Sequence, residues 1–595
     1  MNAAVGSAAM RVETESAPNT KARPLWFGAD ARPRFGWIHP AAAPVGNVAI
    51  VIVPPFGYEA ICAHRSLRHL ADQAAQSGML AVRFDADGCG DSAGGDLDPG
   101  RVDAWLASVG DACDVARSAG AESIILAGVR MGAMLALVAA SRRDDVAGVA
   151  AIALPTSGKA FLREGRALQM ALGLKPPPGS IAQTSAQIEE IVGFALTAET
   201  RTQVSALAAD ALGMRPAPKI LLLDRDDMPG NVAWAERLRS LGAEVSQQRL
   251  PGYVEMVLDA QNAQVPGAII AAVVAFARSC ATLAAVSPQT PAAHRTRVLL
   301  REGEETISEE AVAIDDCVRG IASGPADGRC ERAVVLLNAG AVGRVGPNRL
   351  HVRLARRLAA AGTLVLRLDQ SGIGDSDVRE GGTENCVYSD QVLGDVAAAV
   401  RWVRSAGARH VSVAGLCSGA YHALQAAIAG QPIDSIVVIN PLTFAYKPGM
   451  PLDAAAFRTT AEVTRYGDSL RSASAWRKLL RGEVELARVV RTLARRSGAI
   501  ATAWTREALR ALRIPLQDDL AGDLNALARR GVAIRFIFAS DDPGRVMLAE
   551  QGGGALRRLV ADGRVQIDVI EGSDHTFTPL WSHEPLLDAI AQAVR

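Results

Sequence analysis

Short apolar runs recur along this chain and alternate with stretches of helical period. Val48–Val53, residues 80–85 and residues 123–127 are the first of them, rich in Val, Ile and Leu and too short for buried helices. Helical spacing over 66–75 separates the first two, and a shorter strand pattern, Phe35-Gly36-Trp37-Ile38, precedes them. A later run, Ile220-Leu221-Leu222-Leu223, returns to strand after a long insertion. Strands that are apolar throughout, alternating with helices, predict an α/β fold with a mostly parallel sheet covered on both faces.

The same order then repeats. Val334-Val335-Leu336-Leu337, Leu364–Asp369 and Val411-Ser412-Val413-Ala414 are a second set of strands, followed by Ile534-Arg535-Phe536-Ile537-Phe538 and Val565–Ile570. Arg83-x-Asp85-x-x-Gly88-x-Gly90-Asp91-Ser92 recurs as Arg367-x-Asp369-x-x-Gly372-x-Gly374-Asp375-Ser376, an offset of 284 residues (369 − 85). Near-constant spacing across several motifs marks a tandem duplication. The chain therefore divides into a polar tail over 1–24, a first domain over 25–284, a Pro/Ala/Thr-rich linker over 285–296 and a second domain over 297–595. Non-repeating, mostly helical insertions at about 155–217 and about 441–531 are expected to cap the two sheets.

The second copy carries the chemistry. Its strand ends in Gly415-Leu416-Cys417-Ser418-Gly419 and runs into a helix-forming stretch, Ala420-Tyr421-His422-Ala423-Leu424. Strand, tight turn and helix are the setting of a nucleophile elbow, whose glycines spare a crowded turn the collision of side chains with backbone. Cys417 is then presented at the sheet edge, with the Ser418 N–H aimed at the same point as half of an oxyanion hole. The default reading of a buried cysteine is a small hydrophobe; the elbow argues against it here. Ser418 occupies the second variable position, so Cys417 is the nucleophile candidate.

Composition narrows the class. Hydrophobic residues make up 49% and charged residues 21%, with 63 basic against 63 acidic. That balance gives no global attraction to nucleic acid or to a membrane surface. Eight cysteines are scattered without a Cys-x-x-Cys pair, so neither a zinc site nor a disulfide framework is signalled. No continuous apolar leader opens the chain, and the longest apolar stretches, 124–140 and 265–277, are interrupted or too short to span a bilayer. A cytoplasmic protein without a membrane span, metal or cofactor is the expectation.

These motifs, twice in the same order, resemble the α/β-hydrolase family over nearly all of residues 25–595. The Gly-Leu-Cys-Ser-Gly-Ala elbow is similar to those of dienelactone-hydrolase-like enzymes and polyhydroxyalkanoate synthases, and of hydrolases associated with exosortase systems. The resemblance implies the chain order nucleophile, acid, histidine. Ser540-Asp541-Asp542-Pro543 follows the late strand, and Asp542 fits the acid position better than Asp541. Glu571-Gly572-Ser573-Asp574-His575 follows the last strand and makes His575 the base. His583 also lies downstream, but in a helix-start segment. The second oxyanion donor falls in the Asn338-Ala339-Gly340-Ala341 loop, at the N–H groups of Gly340 and Ala341.

The first copy departs from this pattern. Its elbow holds Arg130, which cannot deprotonate to attack a carbonyl. Asp227 keeps the acid position, and Glu255 stands where histidine is expected. Opposite charges in two of three roles predict that Arg130 pairs with Glu255, and with Asp227, in a structural ion pair; an anion held by the guanidinium fork is the other reading.

The reading is an acyl hydrolase or acyltransferase acting on a small-molecule ester or thioester through an acyl-Cys417 intermediate, with an inactive first domain. Between Arg477 and Arg513 lie ten basic residues against three acidic, which admits a coenzyme A or carrier-protein thioester as the donor. A non-catalytic binding or scaffold protein is the alternative.

Overall fold

The computed structural model describes residues 21–42, 44, 46–174, 176, 187–280, 295–450 and 518–595. Most of the tail (1–24), most of the linker (285–296), most of the second insertion (441–531) and the arginines between Arg477 and Arg513 lie outside the described residues. In the first half the strands are β1 (Arg23–Phe27), β2 (Arg34–His39), β3 (Val48–Val53), β4 (Leu80–Phe84), β5 (Ser123–Val129), β6 (Val146–Ile152), β7 (Ile188–Ile191), β8 (Phe194–Thr197), β9 (Lys219–Asp224) and β10 (Glu244–Arg249). In the second they are β11 (Arg297–Glu302), β12 (Glu305–Ala313), β13 (Arg319–Pro325), β14 (Arg332–Leu337), β15 (Leu364–Asp369), β16 (His410–Leu416), β17 (Ser435–Ile439), β18 (Ala533–Ala539) and β19 (Val565–Ile570).

Two sheets result, ordered β1-β2-β4-β3-β5-β6-β9-β10 and β11-β12-β13-β15-β14-β16-β17-β18-β19. From β2 and from β13 onward the crossover pattern is the same, so the duplication seen in the motifs extends to topology. The central pairs are parallel and the leading strands antiparallel. Each central strand buries both faces: Ala49, Val51 and Val53 enter one apolar layer while Val48, Ile50 and Ile52 enter the other. Ala333, Val335 and Leu337 part from Val334 and Leu336 in the same way. The fold is a pair of α/β-hydrolase sheets flanked by helices.

Two details go beyond or against expectation. Among the described residues, the insertion of the first half adds an antiparallel hairpin, β7 and β8, between the helices Gly158–Leu172 and Ala198–Ser205. The predicted tail reaches into β1, which starts at Arg23 and pairs with β2.

The halves meet through their repeated motifs. Arg83 Nη2 lies 2.8 Å from Asp375 Oδ1, and Arg367 pairs reciprocally with Asp91. Arg344 joins Asp91, Asp369 and Asp375 at 2.7–2.9 Å, and its guanidinium stacks on Phe35 and Trp37. Arg356 and Arg367 share the buried Glu309. Around these charges Trp26, Phe35 and Trp37 pack with Val298, Leu300, Ile307 and Ile321. Burial costs each ion its hydration, so every one of these carboxylates is matched by arginine. Burial pushes the Asp91, Glu309 and Asp375 carboxyls up, but the arginines beside them prevail and hold all three below the usual range.

Candidate active site

Cys417 sits between β16 and the helix Ser418–Ile428 with φ 60° and ψ −116°. Arg130, between β5 and the helix Met131–Ala140, has φ 54° and ψ −118°. Both copies thus build the same strained elbow, and the strain persists because the flanking strand and helix over-determine it. The glycines are there for space: a Cβ on Gly419 would come within 2.6 Å of Asn338 O, and one on Gly415 would strike the Gly419 backbone.

The structure brings His575 and Asp542 together beside Cys417. His575 Nδ1 lies 2.6 Å from Asp542 Oδ2, while Asp542 Oδ1 accepts the Gly544 N–H at 2.8 Å as the cap of the helix Pro543–Ala561. Asp542 is fully buried and held from both oxygens, so the imidazole is fixed in one orientation. Asn440 adds a brace, donating from Nδ2 to His575 O at 2.7 Å and accepting the Ala539 N–H at Oδ1. The remaining ring nitrogen, Nε2, is buried without a hydrogen-bond partner among the described residues. Burial disfavours the charged ring, but the charge of neighbouring Cys417 and the bond to Asp542 outweigh it and raise His575 to about 10. An imidazolium poised beside a cysteine is the arrangement that activates a thiol for attack.

Of the expected oxyanion donors, the Ser418 N–H opens its helix and has no intrahelical acceptor. The Gly340 N–H is engaged, contrary to expectation: it donates to Ser418 Oγ at 3.0 Å. The hydroxyl reaches back across the elbow and occupies that donor, which leaves Ser418 and Ala341. Asn338 ties the loop down rather than facing the site, donating to Val342 O and Asp369 Oδ1 and accepting the Gln370 N–H.

Sequence reasoning missed an aromatic wall. Tyr388 stacks on Tyr446 at 4.7 Å and meets Tyr421 edge-on at 5.4 Å. Its hydroxyl is buried without a hydrogen-bond partner, and burial, then the charge of Cys417, push the phenol up. Tyr388 and Tyr446 lie in loops, so no periodicity singled them out.

In the first copy the predicted Arg130–Glu255 pair does not form. Arg130 Nε lies 2.9 Å from Glu59 Oε1 and Nη2 lies 2.5 Å from Glu164 Oε2, with Phe161 and Tyr253 stacked on the guanidinium. Glu255 is exposed on the short helix Tyr253–Met256, whose inward residues are Tyr253 and Met256. Asp227 pairs with Arg225 at 2.6 Å instead. Arg130 is ion-paired in the old site, but its partners come from the helices Tyr58–Gln76 and Gly158–Leu172 and not from the expected positions.

Residues 334–589, in the second half, match the family model described as the alpha/beta hydrolase family. Similar solved structures include Est1E from Butyrivibrio proteoclasticus with ferulic acid bound, at 17% identity over 43% of this chain and 98% of that one with a TM-score of 0.33. Another is proline iminopeptidase from Mycobacterium smegmatis, at 15% identity over 44% of this chain and 98% of that one with a TM-score of 0.31. No curated protein matches the chain. Among the described residues, no helix is long and apolar enough to cross a membrane and no cluster of side chains is arranged to hold a metal ion.

Proposed function

We propose that the second half hydrolyses or transfers the acyl group of an ester or thioester through a thioester on Cys417. The observation that carries this reading is the His575–Asp542 pair, 2.6 Å apart, with the free imidazole nitrogen beside an elbow cysteine. Cys417 Sγ, as thiolate, attacks the carbonyl carbon, and the carbonyl oxygen takes the negative charge opposite the Ser418 and Ala341 N–H groups. His575 gives its proton to the departing alcohol or thiol as the carbon–oxygen or carbon–sulfur bond breaks. Water, or an acceptor hydroxyl, amine or thiol, then loses its proton to His575 and displaces Cys417 from the acyl carbon. Tyr388, Tyr421 and Tyr446 form an apolar wall suited to the acyl chain. The first half takes no part in the chemistry, since the guanidinium of Arg130 has no lone pair to offer.

Intact-mass measurement with acyl-thioester donors, coenzyme A and carrier-protein thioesters among them, tests the reading. An adduct of the acyl mass, absent in Cys417→Ala, is the expected result. No adduct with any donor, and no labelling by thiol-directed probes, would leave a binding or scaffold protein. Product analysis with and without acceptors separates hydrolysis from transfer.

A further inference from the structure

The loop that carries His575 is strained. Phe577 has no exposed surface and adopts φ 53°, a left-handed conformation costly for a residue with a bulky side chain. Within its own half, the loop is held by Asn440 at His575 O and by Asp574, which accepts the Thr578 N–H at 2.7 Å and the Thr578 hydroxyl at 2.6 Å. Its outer side rests on the other half. The β7–β8 hairpin of the first half presents Glu190, whose Oε1 accepts the Leu580 N–H at 3.3 Å. At the hairpin turn, Gly193 (φ 79°) lies so close that an added Cβ would come within 2.5 Å of both Thr578 O and Asn348 Nδ2. Glu190 is itself buried. The contact is therefore a fitted one rather than a touch between two surfaces.

A second contact reaches the opposite side of the site. Asn385 Nδ2 donates to Gln261 O at 3.0 Å and to Ala260 O at 3.4 Å, both in the first half. Gln261 Oε1 lies 3.4 Å from where a Cβ of Gly340 would stand, against the oxyanion loop. Glu384, next to Asn385, is held by His69 at 2.9 Å and Arg65 at 3.4 Å from the helix Tyr58–Gln76. Asn385 stands three residues before Tyr388, whose hydroxyl faces Cys417. The reciprocal Arg83–Asp375 and Arg367–Asp91 pairs fix the relation of the halves that both contacts require.

We infer that the first half is a positioning domain for the second half's site: the Glu190–Gly193 turn sets the loop bearing His575, and the Ala260–Gln261 segment sets the loops bearing Gly340 and Tyr388. This rests on the acyl-transfer reading for its consequence in rate, and on geometry alone for its consequence in loop order. A half that has lost its nucleophile thereby still serves the reaction, since a displacement of about 1 Å at a reacting group costs roughly a hundredfold in rate.

Three variants of the full chain test it: Glu190→Leu, Gly193→Ala and the conservative Glu190→Gln, which keeps an acceptor oxygen for the Leu580 N–H. With an acyl-thioester donor, Glu190→Leu and Gly193→Ala should lower kcat by about ten- to a hundredfold with KM little changed, and Glu190→Gln should restore most of the rate. Hydrogen exchange over 574–580 should rise in the first two variants and stay at the wild-type level in the third. Wild-type kcat in Glu190→Leu and Gly193→Ala would overturn the inference. Should the wild-type chain show no acyl turnover, the proposed reaction fails and exchange decides alone: faster exchange over 574–580 upholds the positioning, and unchanged exchange overturns it.

Discussion

Arg367→Met removes a guanidinium with no exposed surface that pairs with Asp91 and lies 3.2 Å from Glu309, both of them fully buried carboxylates. Each carboxylate keeps a second arginine, Arg344 at 2.9 Å for Asp91 and Arg356 at 2.8 Å for Glu309. The cost is therefore placed at the low end of the range for breaking one side of a buried pair, about 3 kcal/mol. Unfolding entropy near 2.1 cal/mol/K per residue turns this into a fall in melting temperature of about 2–3 °C if the whole chain melts as one unit. If the second half, roughly 300 residues, melts alone, the same energy gives about 5 °C. Differential scanning calorimetry reads both the shift and the number of transitions. Adding Asp91→Asn should ease the loss, because it removes a charge that Arg367 compensated. A midpoint unchanged by Arg367→Met, or a deeper loss in the double variant, would refute the reasoning.

Asp542→Asn should cut kcat by about 10³- to 10⁴-fold, because the amide no longer fixes the tautomer that His575 needs; steady-state kinetics with a chromogenic acyl ester reads it. His575 holds its proton to about 10 against an ordinary value of 6.5. A raised value stabilises the folded form fully below 6.5, and that contribution fades as pH rises through 10, so melting temperature should fall over this window in wild type and fall less in His575→Ala. Arg130→Met should cost about 2–3 kcal/mol by thermal melting, less than a fully buried pair because the Glu164 side chain is 34% exposed. No change there would make the Arg130 cluster dispensable to the fold.

How much of this was legible in the chain depends on the range of the interaction. β3, β15 and β19 were readable because local runs and alternation report burial of a strand's faces, and β19 shows the exposed middle of an edge strand. The elbow was readable because a tight turn demands glycines at fixed spacing. The leading strands β1, β11 and β12 were not, since antiparallel strands at or next to a sheet edge carry mixed burial and a weaker pattern. The β7–β8 hairpin was hidden in an insertion of only four-residue strands.

The amino-acid sequence by itself determined the duplicated α/β architecture, the elbow holding Cys417 and the order in which Asp542 and His575 follow it. Those are properties of local period, turn chemistry and chain order. Only the tertiary structure decided that Arg130 pairs with Glu59 and Glu164 rather than Glu255, and that Ser418 Oγ takes the Gly340 N–H. Only it set the hairpin of the first half against the histidine loop of the second, where Glu190 meets Leu580. The physical reason is that a buried charge or N–H takes whichever partner packing brings within reach. In a folded chain that partner can stand hundreds of residues away, beyond the reach of any local pattern.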